Sequence, residues 1–138
     1  MEENLHKIEG KYNRRIECLG QDELERIKAE HKAVGSVIYF PTGLKTVDMG
    51  DGRRIVVNKD ATEEIASKKE MVEACAAKAK IVVVEFMYGA YCRMGATDLE
   101  YLGAICEYLN DDTELYYVER SIWHCPDFAL ELSIYFYS

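Results

Sequence analysis

The sequence has few of the features that accompany disorder, membrane insertion or secretion. It contains two prolines in 138 residues and no low-complexity tract, so we expect the chain to fold. No apolar run approaches the ~20 residues that span a membrane. The polar N-terminus, MEENLHKIEG, lacks the pattern of a signal peptide. The length predicts a single domain, residues 1–138, with a core that needs no disulfides.

The five cysteines are odd in number, and none of them forms a CxxC pair. A disulfide framework is therefore not expected, and the sequence predicts a cytoplasmic location. Cys75 and Cys106 fall on the apolar faces of predicted helices and are expected to be small core residues. The sequence also lacks a P-loop, GxGxxG, HExxH and EF-hand pattern, so no metal and no cofactor is predicted.

The formal net charge is −8, and the basic residues occur only in short, scattered pairs. Nucleic-acid binding depends on neutralising phosphates with Lys and Arg, so nucleic acid is not expected as a direct ligand. An acidic surface keeps a protein in solution, and it can also meet a basic partner, including an enzyme whose nucleic-acid groove it imitates.

The N-terminal segment, residues 1–35, is predicted to be mostly helical. Residues 5–19 fit both a helical stripe and a strand alternation, and the sequence leaves the two open. Asp22 followed by Glu25 is a capping box, which predicts a helix over about 22–33 that ends at Gly35.

Residues 36–138 are predicted to form an αβ core. Strands are expected at 36–40, 45–49, 53–57, 81–87, 114–120 and 128–137, and helices at 60–78 and 97–109. The Gly50-Asp51-Gly52 sequence predicts a hairpin turn with positive φ, and the continuous apolar run Ile81–Met87 predicts a central strand buried on both faces. We expect an α+β or α/β fold of two layers, with a central mixed sheet and the order β-α-β-α-β-β.

This order, over about 85 residues from Arg53 to the end, resembles the C-terminal domain of the FtsZ/tubulin superfamily. The likeness is one of pattern. The Gly-rich nucleotide loop of that superfamily is absent here, so the resemblance implies an architecture and neither GTP hydrolysis nor filament assembly.

The best candidate for a site is the strand, loop and helix start at residues 80–100. Ligands in α/β layers bind at the carboxyl ends of strands, where this loop begins. A carboxylate inside the apolar strand must find a partner, and a guanidinium in the loop can bind a carboxylate or phosphate in two-pronged geometry. The candidate ligand-binding residues are Glu85, Tyr88, Tyr91, Cys92, Arg93 and Asp98.

The chemistry of this loop is limited by its spacing. Cys92 beside Arg93 could have a lowered pKa, but the Arg needed five residues further along in a cysteine-phosphatase loop is missing. Asp98 and Glu100 place negative charge where the helix start would otherwise favour an anion. No residue is therefore assigned a catalytic role.

A second set of candidates would bind a partner: Trp123, His124, Tyr135 and Tyr137. Exposed Trp and Tyr are typical interface anchors. The alternatives are that Trp123 folds back on the core and that the N-terminal helices cover the tyrosine face. If that face is open, the last strand is an edge available for pairing.

Two hypotheses on function follow. The first is a small acidic cytosolic interaction protein that binds and modulates, or inhibits, a macromolecular partner without being an enzyme, or that self-associates. The second is a protein or enzyme that binds an anionic or nucleotide-like small molecule at residues 85–98.

Overall fold

A computed structural model of the chain describes residues 2–39, 44–58, 60–89, 96–122 and 130–138. The helices in these residues are α1 (Glu2–Tyr12), α2 (Gln21–Glu30), α3 (Ala61–Ala66), α4 (Lys69–Lys78) and α5 (Ala96–Cys106). The strands are β1 (Ile16–Cys18), β2 (Ala33–Tyr39), β3 (Leu44–Asp48), β4 (Arg54–Asn58), β5 (Ile81–Gly89), β6 (Glu114–Ile122) and β7 (Leu130–Tyr137).

The main sheet has five strands in the order β1-β6-β5-β7-β2. β1, β6 and β5 run parallel, whereas β7 is antiparallel to both β5 and β2. This mixed sheet, with five helices and a small second sheet, confirms the predicted fold class. The prediction for the central strand is also confirmed, because residues 81–86 of β5 are all buried.

The two faces of the main sheet are covered unequally. On the first, here called the helical face, Val82, Val84 and Phe86 belong to a large core built with α1, α3, α4 and α5. On the opposite face, here called the α2 face, Ile81 and Val83 pack in a smaller cluster with residues of α2. Side chains of a strand alternate between faces, so every odd-numbered residue of β5 belongs to the α2 face.

The N-terminal segment differs from the prediction in its boundaries. Both alternatives for residues 5–19 hold in part, since α1 is followed by the short strand β1. The helix predicted over 22–33 ends at Glu30, and its N-cap is Gly20, with no side-chain cap. Gly35, expected to end that helix, lies inside β2. A Cβ built at Gly35 would lie 2.5 Å from Sγ of Cys75, so glycine allows α4 to approach the strand.

The helix predicted over 60–78 is interrupted at Ser67 and Lys68. Its start is as predicted: Asp60 is the N-cap and accepts the backbone N–H of Glu63 at 3.1 Å. The Ser67 hydroxyl donates to the carbonyl of Glu64. Such local bonds compete with the helical ladder, which accounts for the break.

The hairpin of β3 and β4 turns as the sequence predicts, with positive φ at Gly50 (81°) and Gly52 (87°). Its place in the sheet was predicted wrongly. Among the described strands, β3 and β4 pair only with each other, and the main sheet takes β1 and β2 from the N-terminal part of the chain. The expectation that the last strand could be an edge is also wrong, because β7 lies between β5 and β2.

Candidate functional site

The two loops singled out from the sequence begin side by side. Gly89 at the end of β5 is the register partner of Ile122 at the end of β6, and these strands are parallel. The chain therefore enters residues 90–95 and 123–129 from the same end of the sheet. Five of the predicted site residues lie in these segments, outside the described part of the chain: Tyr91, Cys92, Arg93, Trp123 and His124.

Glu85 is buried on the α2 face and faces a guanidinium. Its Oε2 lies 3.5 Å from the Nη2 of Arg120, whose side chain is about half exposed. A carboxylate removed from water needs such compensation. Arg120 is not among the site residues predicted from the sequence. Strand register brings the two side chains together, because Arg120 aligns with Met87, two residues along β5 from Glu85, and no local sequence pattern contains that pairing.

Two further polar side chains on β7 adjoin this ion pair. Ser133 is the register partner of Glu85, and Glu131 is the partner of Met87. The Ser133 hydroxyl is 3.5 Å from Oε1 of Glu131. We call Glu85, Arg120, Glu131 and Ser133 the Glu85 cluster. It offers one guanidinium and two carboxylates at the carboxyl ends of β5 and β6, which suits ion pairing and hydrogen bonding to a polar ligand.

The predicted ligand set is divided between the two faces of the sheet. Tyr88 packs against the core of the helical face. Asp98 is half-buried in the first turn of α5, a helix of that same face. Glu85 belongs to the opposite face. The sheet thus separates Glu85 from Tyr88 and Asp98.

The tyrosines of β7 are largely covered by the chain itself. Tyr137 is buried, and half-buried Tyr135 packs against the same cluster, which includes Leu24 and Ile27 of α2. Burial raises the pKa of Tyr137, and the nearby Tyr135, Glu85 and Glu25 raise it further. A partner could reach only the exposed part of Tyr135, so these two residues offer little docking surface.

A cavity of about 300 Å³ lies at the other end of the sheet, where β1 and β6 begin. Arg14 lines this cavity. Its Nη1 donates to the carbonyl of Thr113, and its Nη2 donates to that of Asn110 (2.7 Å). Tyr116 donates to Glu114 at 2.9 Å. Burial and this hydrogen bond raise the pKa of Tyr116 to about 12. These contacts join the α1–β1 connection to the start of β6, which is a structural role.

The hairpin of β3 and β4, residues 44–58, is here called the arm. Three large apolar side chains of the arm are exposed: Met49 (47%), Ile55 (44%) and Val56 (62%). Neighbouring strand residues point to opposite faces, so Ile55 and Val56 present apolar surface on both sides of the arm. Nothing in the sequence analysis assigned a role to these residues.

Within the described residues, no group of three or more His, Cys, Asp or Glu side chains could hold a metal ion. In the same part of the chain, each helix is too short or too polar to span a bilayer. No protein-family model matches the chain, and no curated protein sequence matches it significantly.

Proposed function

We propose that this chain is a small acidic cytosolic interaction protein that binds and modulates a protein partner without catalysing a reaction, and that the arm is its binding element. The observation that carries the proposal is the exposure of Met49, Ile55 and Val56 on a hairpin that pairs with no other described strand. Scattered exposed apolar residues are ordinary, but a group of them on one element marks an interaction site.

Binding to a partner would stabilise the arm. A lone two-stranded hairpin is marginally stable in water, because it has no third strand or helix against which to bury its apolar side chains. Covering the exposed parts of Ile55 and Val56 would contribute about 1 kcal/mol each. The arm also differs in charge from the remainder of the chain. It carries three basic and two acidic residues, a net +1, which leaves −9 elsewhere. Because the exposed side chains of the arm are apolar, we expect a partner with an apolar groove.

The test compares two variants with matched chemistry. Val56→Asp places one negative charge on the arm, where Val56 is 62% exposed, and Met71→Asp places one on α4, where Met71 is 54% exposed. Each protein, with wild type, is used to capture crosslinked partners from extract of its native cells, after circular dichroism has shown that all three fold.

A stoichiometric partner held by wild type and Met71→Asp, and lost by the arm variant, supports the proposal. A partner that all three proteins capture would move the binding site away from the arm. If no protein captures a partner even with crosslinking, the interaction function itself is wrong.

A second candidate function is favoured by the Glu85 cluster. A buried carboxylate and a half-exposed guanidinium lie at the end of β5 and β6, where the chain enters both candidate loops. Arg120 could bind an anionic or nucleotide-like ligand. A thermal-shift screen with such ligands, repeated with Arg120→Ala, tests this. A stabilising ligand whose effect disappears in the variant supports it, and an unchanged melting temperature across the screen excludes it.

A further inference from the structure

The carboxylate of Glu85 is buried without a hydrogen bond. Its side chain is 8% exposed, and the charge that compensates it is the guanidinium of Arg120 at 3.5 Å. Charge-assisted N–H···O bonds are about 2.7–2.9 Å long, so this ion pair is too open to be one. No group in the described residues donates a hydrogen bond to Glu85. Because buried polar groups nearly always have a hydrogen-bond partner, Glu85 has the capacity to bind a donor from a ligand.

Arg120 is also only partly used. A guanidinium has five N–H donors, and within the described residues the one acceptor near them is the Glu85 carboxylate at 3.5 Å. The Arg120 side chain is 47% exposed, so a ligand can reach it. A carboxylate from solution could accept two parallel hydrogen bonds from this side chain.

Hydrogen-bond acceptors converge around Glu85. Ser133 is its register partner on β7, which places their Cβ atoms about 4.5–5.5 Å apart. The Ser133 hydroxyl is 3.5 Å from Oε1 of Glu131, which is the outer limit of a hydrogen bond. The Glu85 cluster contains two glutamates and one arginine, a net charge of −1. This balance favours a ligand with a positive group over a simple anion.

Apolar side chains lie beside these polar groups on the α2 face. Met87 is the register partner of both Arg120 and Glu131, so it lies between them in the sheet. The backbones of these two residues are therefore about 9–10 Å apart. Ile38, the register partner of Ser133, is 41% exposed. Met87 and Ile38 belong to neither core cluster of the described residues. Small-molecule sites combine apolar surface of this kind with a few polar groups.

We propose that the Glu85 cluster binds a small zwitterion, an α-amino acid with an apolar side chain. The ammonium group of the ligand would donate to Glu85 and Glu131, and its carboxylate would accept from Arg120. Its side chain would contact Met87. This proposal rests on the second candidate function, a small-molecule site at the Glu85 cluster, and names the ligand class of that site.

A zwitterion suits the cluster because it replaces one open ion pair with two hydrogen-bonded pairs. A simple anion would bind Arg120 and leave Glu85 buried without an opposite charge, which is costly. A simple amine would bind Glu85 and leave Arg120 without a carboxylate. This second loss is smaller because Arg120 is about half exposed to water. The affinity should therefore fall from the amino acid to the amine, and fall further to the anion.

The experiment uses three ligands of matched shape, titrated into the full chain by isothermal calorimetry. They are free L-leucine, isopentylamine, which lacks the carboxylate, and isocaproate, which lacks the ammonium group. Leucine should bind most tightly. Each analogue loses hydrogen bonds to a charged group and should bind at least about tenfold more weakly.

Two variants identify which protein group binds each end of the ligand. In Glu85→Gln the preference for leucine over isocaproate should disappear, whereas in Arg120→Ala the preference for leucine over isopentylamine should disappear. Arg15→Ala provides a control, because it removes another ion pair of the same sheet, that with Glu17, and should leave every affinity unchanged. Circular dichroism checks that each variant folds. If Glu85→Gln does not fold, Glu131→Gln changes a half-buried carboxylate and should also weaken leucine binding.

Three outcomes would overturn the proposal. If leucine does not bind, the ligand class is wrong, and the screen of anionic ligands then decides whether the cluster is a small-molecule site at all. If leucine and isocaproate bind equally well, the ammonium group is not recognised. If leucine binds the Glu85 and Arg120 variants as it binds wild type, its site lies elsewhere on the protein. The partner-capture experiment on the arm is independent of all three.

Discussion

Replacing Gly35 with alanine tests a close approach between β2 and α4. An ideal Cβ at residue 35 would lie 2.5 Å from Sγ of Cys75 and 3.6 Å from its Cβ. The first distance is too short for two unbonded atoms, so the Cys75 side chain, β2 or α4 must move. Overpacking of this kind costs about 1–3 kcal/mol.

A second effect has the opposite sign. Alanine restricts the unfolded chain more than glycine does, which stabilises a protein by about 0.4–1 kcal/mol where the native backbone accepts a side chain. Gly35 meets this condition, because the described glycines with positive φ are Gly50 and Gly52. The net cost of Gly35→Ala should therefore be about 0.5–2 kcal/mol. In a Cys75→Ala background, the short contact to Sγ no longer exists, and the same substitution should stabilise the fold.

The assay is a double-mutant cycle of four proteins, unfolded in urea and followed by circular dichroism. The cycle cancels the cost of removing the sulfur itself. The expected result is a change of sign for Gly35→Ala between the two backgrounds. An equal loss in both would refute the argument, since it would mean that Gly35 is needed for its backbone conformation, as the sequence suggested for the end of a helix.

Three other substitutions test separate contacts. Arg120→Ala should lower the free energy of unfolding by about 1–2 kcal/mol, which is less than the loss of a fully buried pair because Arg120 is 47% exposed. In a Glu85→Gln background this cost should be smaller. An unchanged cost would mean that the ion pair contributes nothing. Asp60→Ala should lower the free energy of unfolding by about 1 kcal/mol, whereas Asp60→Asn keeps the cap of α3 and should lose less. Burial and a 2.7 Å hydrogen bond to Glu107 raise the pKa of Tyr12 from 10.0 to about 12. Because the folded state holds the phenol proton more tightly, this contribution to stability is present below pH 10 and is lost as the pH rises towards 12. Because Tyr116 also ionises late, a tyrosinate absorbance titration of Tyr12→Phe should show one late-ionising group fewer than wild type.

The parts of the fold that the sequence predicted are those controlled by neighbouring residues. The turn at Gly50 and Gly52, the cap at Asp60 and the buried strand β5 each depend on a few adjacent side chains. The order of strands does not, because it depends on which distant segments pair. β1 and β2 enter the main sheet through contacts with β6 and β7, which lie about a hundred residues later in the chain.

Gly35 shows why local reasoning failed at the end of α2. A glycine after a helical stripe usually marks the end of a helix. Here the glycine serves an approach to Cys75, forty residues away, and no pattern around residue 35 contains that information.

The sequence contains enough information to predict that Glu85 and Tyr88 lie on opposite faces of the sheet. Glu85 and Tyr88 are three residues apart, and in one continuous strand an odd separation places them on opposite faces. The apolar run predicts a strand that ends at Met87, with Tyr88 in the following loop, whereas β5 continues to Gly89. The partner of Glu85 was beyond reach, because Arg120 meets it only through the pairing of β5 with β6.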